Sequence, residues 1–216
     1  MFSVIFDMDG TLLDTQRICI TAWDWAGENQ GLKNLGKLIP AVCGMNIITW
    51  SKYVTDRYPE IDIDRFNAEA RQYVIEHLEV RFMPCIEKLL IFLKNNGVKM
   101  ALASGSSHES INHHLKATDA EKYFDAIVGG DDVKRGKPEP DVFLKAAELI
   151  GALPKDCFVF EDSENGIRAG FAAGMKCVGI PDIADFSSEV NNLLFAKLKT
   201  ADEIIPVFSD LLMECK

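Results

Sequence analysis

Two aspartates that are separated by a single residue are the first feature of this sequence that could do chemistry. Asp7 and Asp9 follow a short apolar run at residues 3–6 and precede Gly10. A carboxylate can serve as a nucleophile, as a general acid or base, or as a hard oxygen ligand for a metal ion. Because aspartate and glycine are also common turn residues, this segment alone favours neither a catalytic site nor an acidic turn.

Three further short segments carry side chains that suit the handling of a phosphate group. They are Ser104-Gly105-Ser106, Gly136-Lys137-Pro138 and Glu161-Asp162-Ser163. The first combines a hydroxyl group with the start of a predicted helix, where free N–H groups bind anions, and the second supplies an ammonium group. Since the carboxyl ends of parallel strands meet at one edge of a sheet, all the segments are expected to converge there. Four carboxylates, a hydroxyl and an ammonium at one edge indicate a reaction site rather than a set of turns.

The apolar pattern predicts the strands and helices that must position these side chains. Buried strands are predicted at 3–6, 98–103, 126–128, 157–160 and 177–180. Helices are predicted near 86–93, 107–117, 140–150, 163–173 and 202–212. For the second of these helices, Ser106 and Glu109 form a capping-box pattern. Strands that alternate with helices predict an α/β fold, a doubly wound parallel sheet with a Rossmann-like core and helices on both faces.

Residues 15–82 interrupt this alternation with helical patterns alone. Helices are predicted at 15–30, 46–57 and 64–81, in the part of the chain that holds all three tryptophans. The simplest organisation is a core domain of residues 1–14 and 83–216, with an inserted α-helical cap domain of residues 15–82. Such a cap can close over the site, and its best candidates for reaching a substrate are Met45 and Asn46 in a loop at 42–46. A plain interhelical turn explains that loop equally well.

Composition and charge exclude several classes of protein and partner. With 23 Lys plus Arg against 33 Asp plus Glu, the net charge of -10 opposes binding to nucleic acid and to anionic membranes. No segment approaches the roughly 20 apolar residues of a membrane span, and without a basic N-terminal region we expect no signal peptide. Six isolated cysteines predict free thiols, and His113 and His114 are expected to be solvated. We expect a cytoplasmic monomer whose partner is a small phosphorylated metabolite.

In their order and spacing, the polar segments resemble the four motifs of the haloacid dehalogenase superfamily. Residues 7–11 resemble the first motif, Ser104 the second and Lys137 the third, while Glu161 and Asp162 resemble the fourth. The likeness extends over nearly the whole chain. The helical insertion is similar to the cap of the superfamily's phosphatases and β-phosphoglucomutase-like members. Each motif is weak alone, but the ordered set, with each motif at a strand or helix boundary, is specific.

This resemblance implies a role for each residue. Asp7 would be the nucleophile that forms an aspartyl-phosphate intermediate, and Asp9 would be the general acid and base. Lys137 would neutralise negative charge beside them. The remaining segments would bind the phosphoryl group, through Ser104, Gly10, Thr11, Gly105 and Ser106.

Both the resemblance and the balance of charge imply a divalent cation. A phosphate dianion about 4 Å from a carboxylate is repelled by about 8 kcal/mol at an effective dielectric constant near 20. Hard oxygen ligands suit Mg²⁺. The implied ligands are Asp7, the backbone carbonyl of Asp9, and Asp162, with Glu161 either a direct ligand or a supporting residue.

Three functions from different classes remain open. Asp9 favours phosphate-ester chemistry, because the superfamily's dehalogenases lack an aspartate there and its cation-pumping ATPases carry threonine. A Mg²⁺-dependent phosphatase for a small metabolite such as a sugar phosphate is therefore the leading hypothesis. The alternative is a mutase similar to β-phosphoglucomutase, although residues 44–48 lack the cap arginine of those mutases and Lys52 or Arg57 would have to substitute. A non-catalytic phosphate-binding module is disfavoured by the intact set of acidic residues.

Overall fold

The computed structural model describes residues 2–214 and contains a six-stranded parallel sheet. Its strands are β1 (Ser3–Phe6), β2 (Met100–Ala103), β3 (Ala126–Val128), β4 (Cys157–Glu161), β5 (Lys176–Gly179) and β6 (Leu194–Lys197). The order across the sheet is β3-β2-β1-β4-β5-β6, so the direction of chain progression reverses at β1. The predicted α/β class with a doubly wound parallel sheet is therefore confirmed.

Helices cover the sheet and form the insertion after β1. They are α1 (Gln16–Glu28), α2 (Ile39–Val42), α3 (Ile47–Thr55), α4 (Ile63–His77), α5 (Ile86–Asn95), α6 (His108–Thr118), α7 (Asp141–Leu149), α8 (Glu164–Ala172), α9 (Ser188–Asn191) and α10 (Ile205–Glu214). The first four belong to the insertion and the others flank the sheet. Within residues 2–214, none of these helices combines the length and the apolar character that crossing a membrane requires.

The central strand β1 is buried on both faces, which explains its continuous apolar sequence. Val4 and Phe6 lie in one core cluster, together with Phe208 of α10. Ile5 lies in a second cluster, together with Phe143 of α7. Because successive side chains of a strand point to opposite faces, β1 packs against a helical layer on each side. This packing fixes the carboxyl end of β1 between the ends of β2 and β4.

The sequence pattern does not predict β6, and it places the end of α4 too late. β6 lies at an edge of the sheet, pairs with β5, and has half-buried and exposed side chains in alternation. An edge strand of this kind needs no buried apolar run, and so it leaves little signal in the sequence. Helix α4 ends at His77 rather than at residue 81, because the chain then runs extended on its way back to the sheet.

The insertion has an apolar cluster of its own, built around aromatic side chains. The ring of Trp23 lies 4.9 Å from that of Trp50 and 5.3 Å from that of Phe66. Trp25, in contrast, is 41% exposed and packs beside Tyr73. Trp23 is thus buried in the cluster, Trp50 packs against it half-buried, and Trp25 lies largely at the surface.

Two extended segments connect the insertion to the sheet, and they pair with each other. Leu13 forms an antiparallel bridge with Phe82. On either side of this bridge, the Asp14 amide donates to the Arg81 carbonyl at 2.9 Å and the Met83 amide donates to the Leu12 carbonyl at 2.9 Å. The insertion therefore starts and ends next to the carboxyl end of β1.

Candidate active site

The ends of three adjacent strands bring the polar segments of the sequence together. Asp7 directly follows β1, and its amide donates to the Phe160 carbonyl in β4 at 3.0 Å. Ser104 directly follows β2, and Asp162 directly follows β4. Lys137 reaches the same place from the loop before α7. The convergence expected from the strand ends is present in the structure.

Lys137 lies at the centre of the site and is fully buried. Its ammonium Nζ is 2.5 Å from Asp7 Oδ1, 2.6 Å from Glu161 Oε1 and 3.3 Å from the carbonyl oxygen of Ala103. Burial disfavours the charged ammonium, but the carboxylates of Asp7 and Glu161 outweigh that effect and raise the pKa of Lys137 above its ordinary value. The lysine is therefore a fixed cation at neutral pH.

Glu161 uses its carboxylate to hold the residues around it. Oε1 faces Lys137, while Oε2 accepts hydrogen bonds from the Asp162 amide at 3.0 Å and from the Ser163 amide and hydroxyl at 2.9 and 2.8 Å. Helix α8 packs directly on this carboxylate, because a Cβ atom at Gly166 would lie 1.7 Å from Oε1. With these bonds in place, Glu161 is better placed to orient Lys137 and Asp162 than to bind an ion directly.

Three buried carboxylates share this single ammonium. Asp7, Glu161 and Asp162 offer oxygen atoms that lie within 4.8 Å of one another. Burial, opposed by Lys137 and reinforced by Glu161, raises the pKa of Asp7 to about 8. Burial and the charges of Glu161 and Asp7 also raise the pKa of Asp162 well above its usual value. This excess of buried negative charge, carried on hard oxygen atoms, fits a divalent cation such as Mg²⁺.

The Asp162 carboxylate and the Asp9 backbone carbonyl share one donor, the carboxamide of Gln16. Asp162 Oδ1 accepts a hydrogen bond from the Thr11 hydroxyl at 3.0 Å, and Oδ2 accepts one from Gln16 Nε2 at 2.8 Å. The same Gln16 nitrogen donates to the backbone carbonyl of Asp9. Gly10 makes this approach feasible with a φ of 83°, since a Cβ atom there would lie 2.6 Å from Asp162 Oδ2. In this structure Gly10 and Thr11 therefore shape the carboxylate cluster.

The Asp9 side chain is held by hydroxyl groups rather than by the Gln16 carboxamide that binds its backbone carbonyl. Thr15 Oγ1 donates to Oδ1 at 2.6 Å, and Ser106 Oγ donates to Oδ2 at 2.8 Å. Ser104 Oγ lies farther away, at 3.4 Å from Oδ2. Asp9 is only half-buried, in contrast to Asp7. The two aspartates thus have separate surroundings although one residue separates them.

The expectation that Ser106 caps the following helix is wrong by one position. Helix α6 begins at His108, and its N-cap is Ser107, whose side chain accepts a hydrogen bond from the Ser110 amide at 3.5 Å. The hydroxyl of Ser106 is thereby free to bind Asp9. Because Ser106 and Ser107 are adjacent, either could be the N-cap. The three-residue spacing to Glu109 favours Ser106, which is not the cap in the structure.

The loop between α2 and α3 lies directly on these segments. A Cβ atom at Gly105 would be 2.9 Å from the Gly44 carbonyl oxygen, and one at Gly136 would be 2.7 Å from Asn46 Cγ. Asn46 is buried and its Oδ1 caps α3 through the Thr49 amide at 3.0 Å. The predicted loop is therefore next to the site, while contact of Met45 or Asn46 with a substrate stays a prediction.

Gln16 and Thr15 are the site residues that sequence reasoning misses. Both lie at the start of α1, where polar residues are ordinary. Thr15 carries a weak signal, because a threonine just before a helix is a typical cap, but its hydroxyl binds Asp9 instead. Gln16 has no signal in the sequence, since its partners lie up to 146 positions away.

The structure also gives the surroundings of His114 and of the cysteines. His114 is buried rather than solvated, and its Nδ1 has no hydrogen-bond partner among residues 2–214. Burial, its largest influence, lowers the pKa of His114. The thiols in the described part of the chain are free, and Cys215 lies outside the described residues.

Comparison with known proteins identifies the family to which these elements belong. A family model described as haloacid dehalogenase-like hydrolase matches residues 4–180. A phosphorylated carbohydrates phosphatase from Thermotoga maritima is 32% identical over 182 residues, which cover 82% of this chain and 83% of that protein. A beta-phosphoglucomutase from Bacillus subtilis is 33% identical over 196 residues, which cover 83% of each chain.

One further relative is much longer than this chain, and one solved structure has the same fold. The chain spans 54% of a bifunctional riboflavin kinase/FMN phosphatase from Arabidopsis thaliana, with 32% identity over 222 residues. The crystal structure of a hydrolase from Pseudomonas syringae shares the fold, with a TM-score of 0.85 and 24% identity over 97% of this chain and 99% of that one. On the match over residues 4–180, the chain belongs to the haloacid dehalogenase-like hydrolase family.

Proposed function

We propose that this protein is a Mg²⁺-dependent phosphatase that hydrolyses a small phosphorylated metabolite, with sugar phosphates as the favoured class. The observation that carries the proposal is the environment of Asp7. Its Oδ1 faces Lys137 at 2.5 Å, while no group within residues 2–214 donates a hydrogen bond to Oδ2. One carboxylate oxygen is thus anchored and the other is free to react. The phosphatase named for carbohydrates supports the substrate class.

In the proposed reaction, Asp7 Oδ2 attacks the phosphorus atom and the bond from phosphorus to the ester oxygen breaks. Asp9 donates its proton to the leaving oxygen, which departs as an alcohol. The resulting Asp9 carboxylate then accepts a proton from a water molecule, which attacks the phosphorus of the aspartyl-phosphate. The products are inorganic phosphate, a regenerated Asp7 carboxylate and a protonated Asp9. Thr15 and Ser106 each hold one oxygen of the Asp9 carboxyl group and so orient it.

The negative charge of the site requires additional positive charge when a phosphate group binds. Three buried carboxylates, with Asp9 beside them, face one lysine, so a phosphate dianion would be strongly repelled without further positive charge. Mg²⁺ would be held by Asp7, Asp162 and the backbone carbonyl of Asp9. It would supply that positive charge and withdraw electron density from the phosphoryl oxygens. Lys137 contributes one positive charge, and Ser104 with the following amides would bind the phosphoryl oxygens.

We further propose that residues 15–82 act as a cap domain on the core of residues 1–14 and 83–216. The pairing of Leu13 with Phe82 makes the two connectors one narrow junction, about which the cap would open. In the closed arrangement, the loop at 43–46 covers Gly105 and Gly136. A substrate must then be small, or the cap must open to admit it. A monomeric state and a cytoplasmic location stay predictions.

The alternative function, a phosphosugar mutase, has support from the beta-phosphoglucomutase relative. A mutase needs a cation in the cap to hold a second phosphate group. Lys52 is engaged with Asp56 at 2.7 Å on an exposed part of α3, and Arg57 lies on the ring of Tyr53. Both candidate cations are therefore engaged with partners inside residues 15–82, which favours the phosphatase.

A phosphate-release assay tests the proposal. With Mg²⁺, the protein is expected to release phosphate from p-nitrophenyl phosphate and from some members of a panel of phosphorylated metabolites. Asp7→Asn should lower the rate by at least about a thousandfold, because it removes the nucleophile. Asp131→Asn is the matched control, since this exposed carboxylate binds the His108 amide outside the cluster. Full activity of Asp7→Asn, or isomerisation of a hexose 1-phosphate in place of hydrolysis, would contradict the proposal.

A further inference from the structure

Gln16 is the first residue of α1, but its side chain lies among the acidic groups of the sheet edge. It is 6% exposed. Nε2 donates to Asp162 Oδ2 at 2.8 Å and to the backbone carbonyl of Asp9, while Oε1 accepts a hydrogen bond from Cys43 Sγ at 3.2 Å. A single carboxamide therefore joins the start of the insertion, the acidic cluster, and the loop that covers the site.

The two oxygens that Gln16 binds are two of the three groups proposed above to hold Mg²⁺. The amide nitrogen carries a partial positive charge and lies between them, as a cation would. The space is tight, because a Cβ atom added to Gly10 would lie 2.5 Å from Nε2. A cation that takes both oxygens must therefore displace the carboxamide. Displacement also affects the hydrogen bond that Gln16 makes with Cys43.

We propose that Gln16 is a positioning residue that holds the metal ligands in the ion-free protein and competes with the divalent cation for them. This inference rests on the metal site of the proposed function. Without an ion, the carboxamide keeps Asp162 and the Asp9 carbonyl oriented toward a common point. Binding of the cation breaks both hydrogen bonds and frees Gln16. Through Cys43, occupancy of the metal site is coupled to the position of the loop at 43–46.

Calorimetric titration with Mg²⁺, and with Mn²⁺ as a second ion, tests this competition without an activity assay. Gln16→Met keeps the length of the side chain and removes its donor. Because the cation no longer has to break the hydrogen bonds to charged and carbonyl oxygens, its dissociation constant should fall about five- to tenfold. Gln72→Ala is the matched control, since Gln72 is an exposed cap residue that bonds Glu76 within α4. Its dissociation constant should equal that of the wild type.

Gln16→Glu supplies a second variant in case Gln16→Met folds poorly. A carboxylate at this position cannot donate to Asp162 and repels it, so this variant should also bind Mg²⁺ more tightly than the wild type. Its melting temperature should rise more on addition of Mg²⁺ than that of the wild type. Unchanged or weaker Mg²⁺ binding by the folded variants would overturn the role of Gln16 alone. Absence of Mg²⁺ binding by the wild type would overturn the metal site as well.

Discussion

Lys137 and Asp9 lie at the same edge of the sheet, but they are held in different ways. Lys137 is completely buried in the floor of the site, where its ammonium binds two carboxylates that strand ends fix in place. The floor comprises Asp7, Lys137, Glu161 and Asp162. Asp9 belongs to the rim, is half-buried, and depends on hydroxyl groups from two loops. The rim comprises Asp9, Thr15, Gln16, Ser106 and the loop at 43–46.

This difference assigns separate tasks to the two regions. A charge network that is desolvated and held by several ion pairs and hydrogen bonds keeps its geometry, and so the floor can present a fixed field to a phosphate group. The rim makes its bonds across the connectors of the insertion, through Thr15 and Gln16 at the start of α1. Movement of the insertion must change these bonds. We expect the floor to govern stability and charge, and the rim to govern proton transfer and access.

Removal of the lysine from the floor should have the largest effect. Lys137→Met leaves Asp7 and Glu161 buried without a cation, and loss of one partner from a buried ion pair costs about 3–5 kcal/mol. Urea denaturation at pH 7 should show a free energy of unfolding lowered by about that amount. Lys145→Met is the control, because Lys145 is only half-buried and its pairing with Asp132, at 3.7 Å, contributes less than about 1 kcal/mol. Equal unfolding free energies for the two variants would remove the distinction between floor and surface.

Asp7, in the floor, should also make the stability of the ion-free protein depend on pH. Burial raises the pKa of Asp7 from 3.8 to about 8, so the native state binds this proton more tightly than the unfolded chain does. The resulting stabilisation is complete below pH 4 and is lost as the pH rises from about 4 to about 8. In buffer that contains a chelator, the free energy of unfolding should fall between pH 5.5 and pH 7.5 by about 2–3 kcal/mol more in the wild type than in Asp7→Asn. Identical slopes for the two proteins would show that Asp7 is ionised without a cation.

Two adjacent serines offer the smallest and sharpest contrast. Ser106→Ala removes a hydroxyl that holds Asp9 and should lower the rate of phosphate release by about two- to tenfold with little change in stability. Ser107→Ala removes the cap of α6 and should lower the free energy of unfolding by about 1 kcal/mol with little change in rate. Thermal unfolding of both variants measures the change in stability, and steady-state kinetics measure the change in rate. The opposite pattern would mean that Ser106 supports the fold and not Asp9.

The floor was more predictable from the sequence than the rim, for a physical reason. Strands buried on both faces leave apolar runs such as residues 3–6 and 157–160, and their ends mark where Asp7 and Asp162 must meet. The contacts of the rim depend on how the insertion lies against the sheet. Gln16 reaches Asp162 across 146 positions, and no periodicity in the chain reports that approach. The edge strand β6 leaves little signal for the related reason that one of its sides has no neighbour.

Capture of the covalent intermediate tests the central claim most directly. Asp9→Asn should react with p-nitrophenyl phosphate, whose leaving group needs no proton, but it lacks the base that activates water. The aspartyl-phosphate should then accumulate, and reduction with borohydride after an acid quench should convert it to homoserine, located by peptide mass spectrometry. We expect homoserine at position 7 and none in the protein that carries Asp7→Asn as well. Reduction at another carboxylate, or turnover with Asp7 unmodified, would contradict it.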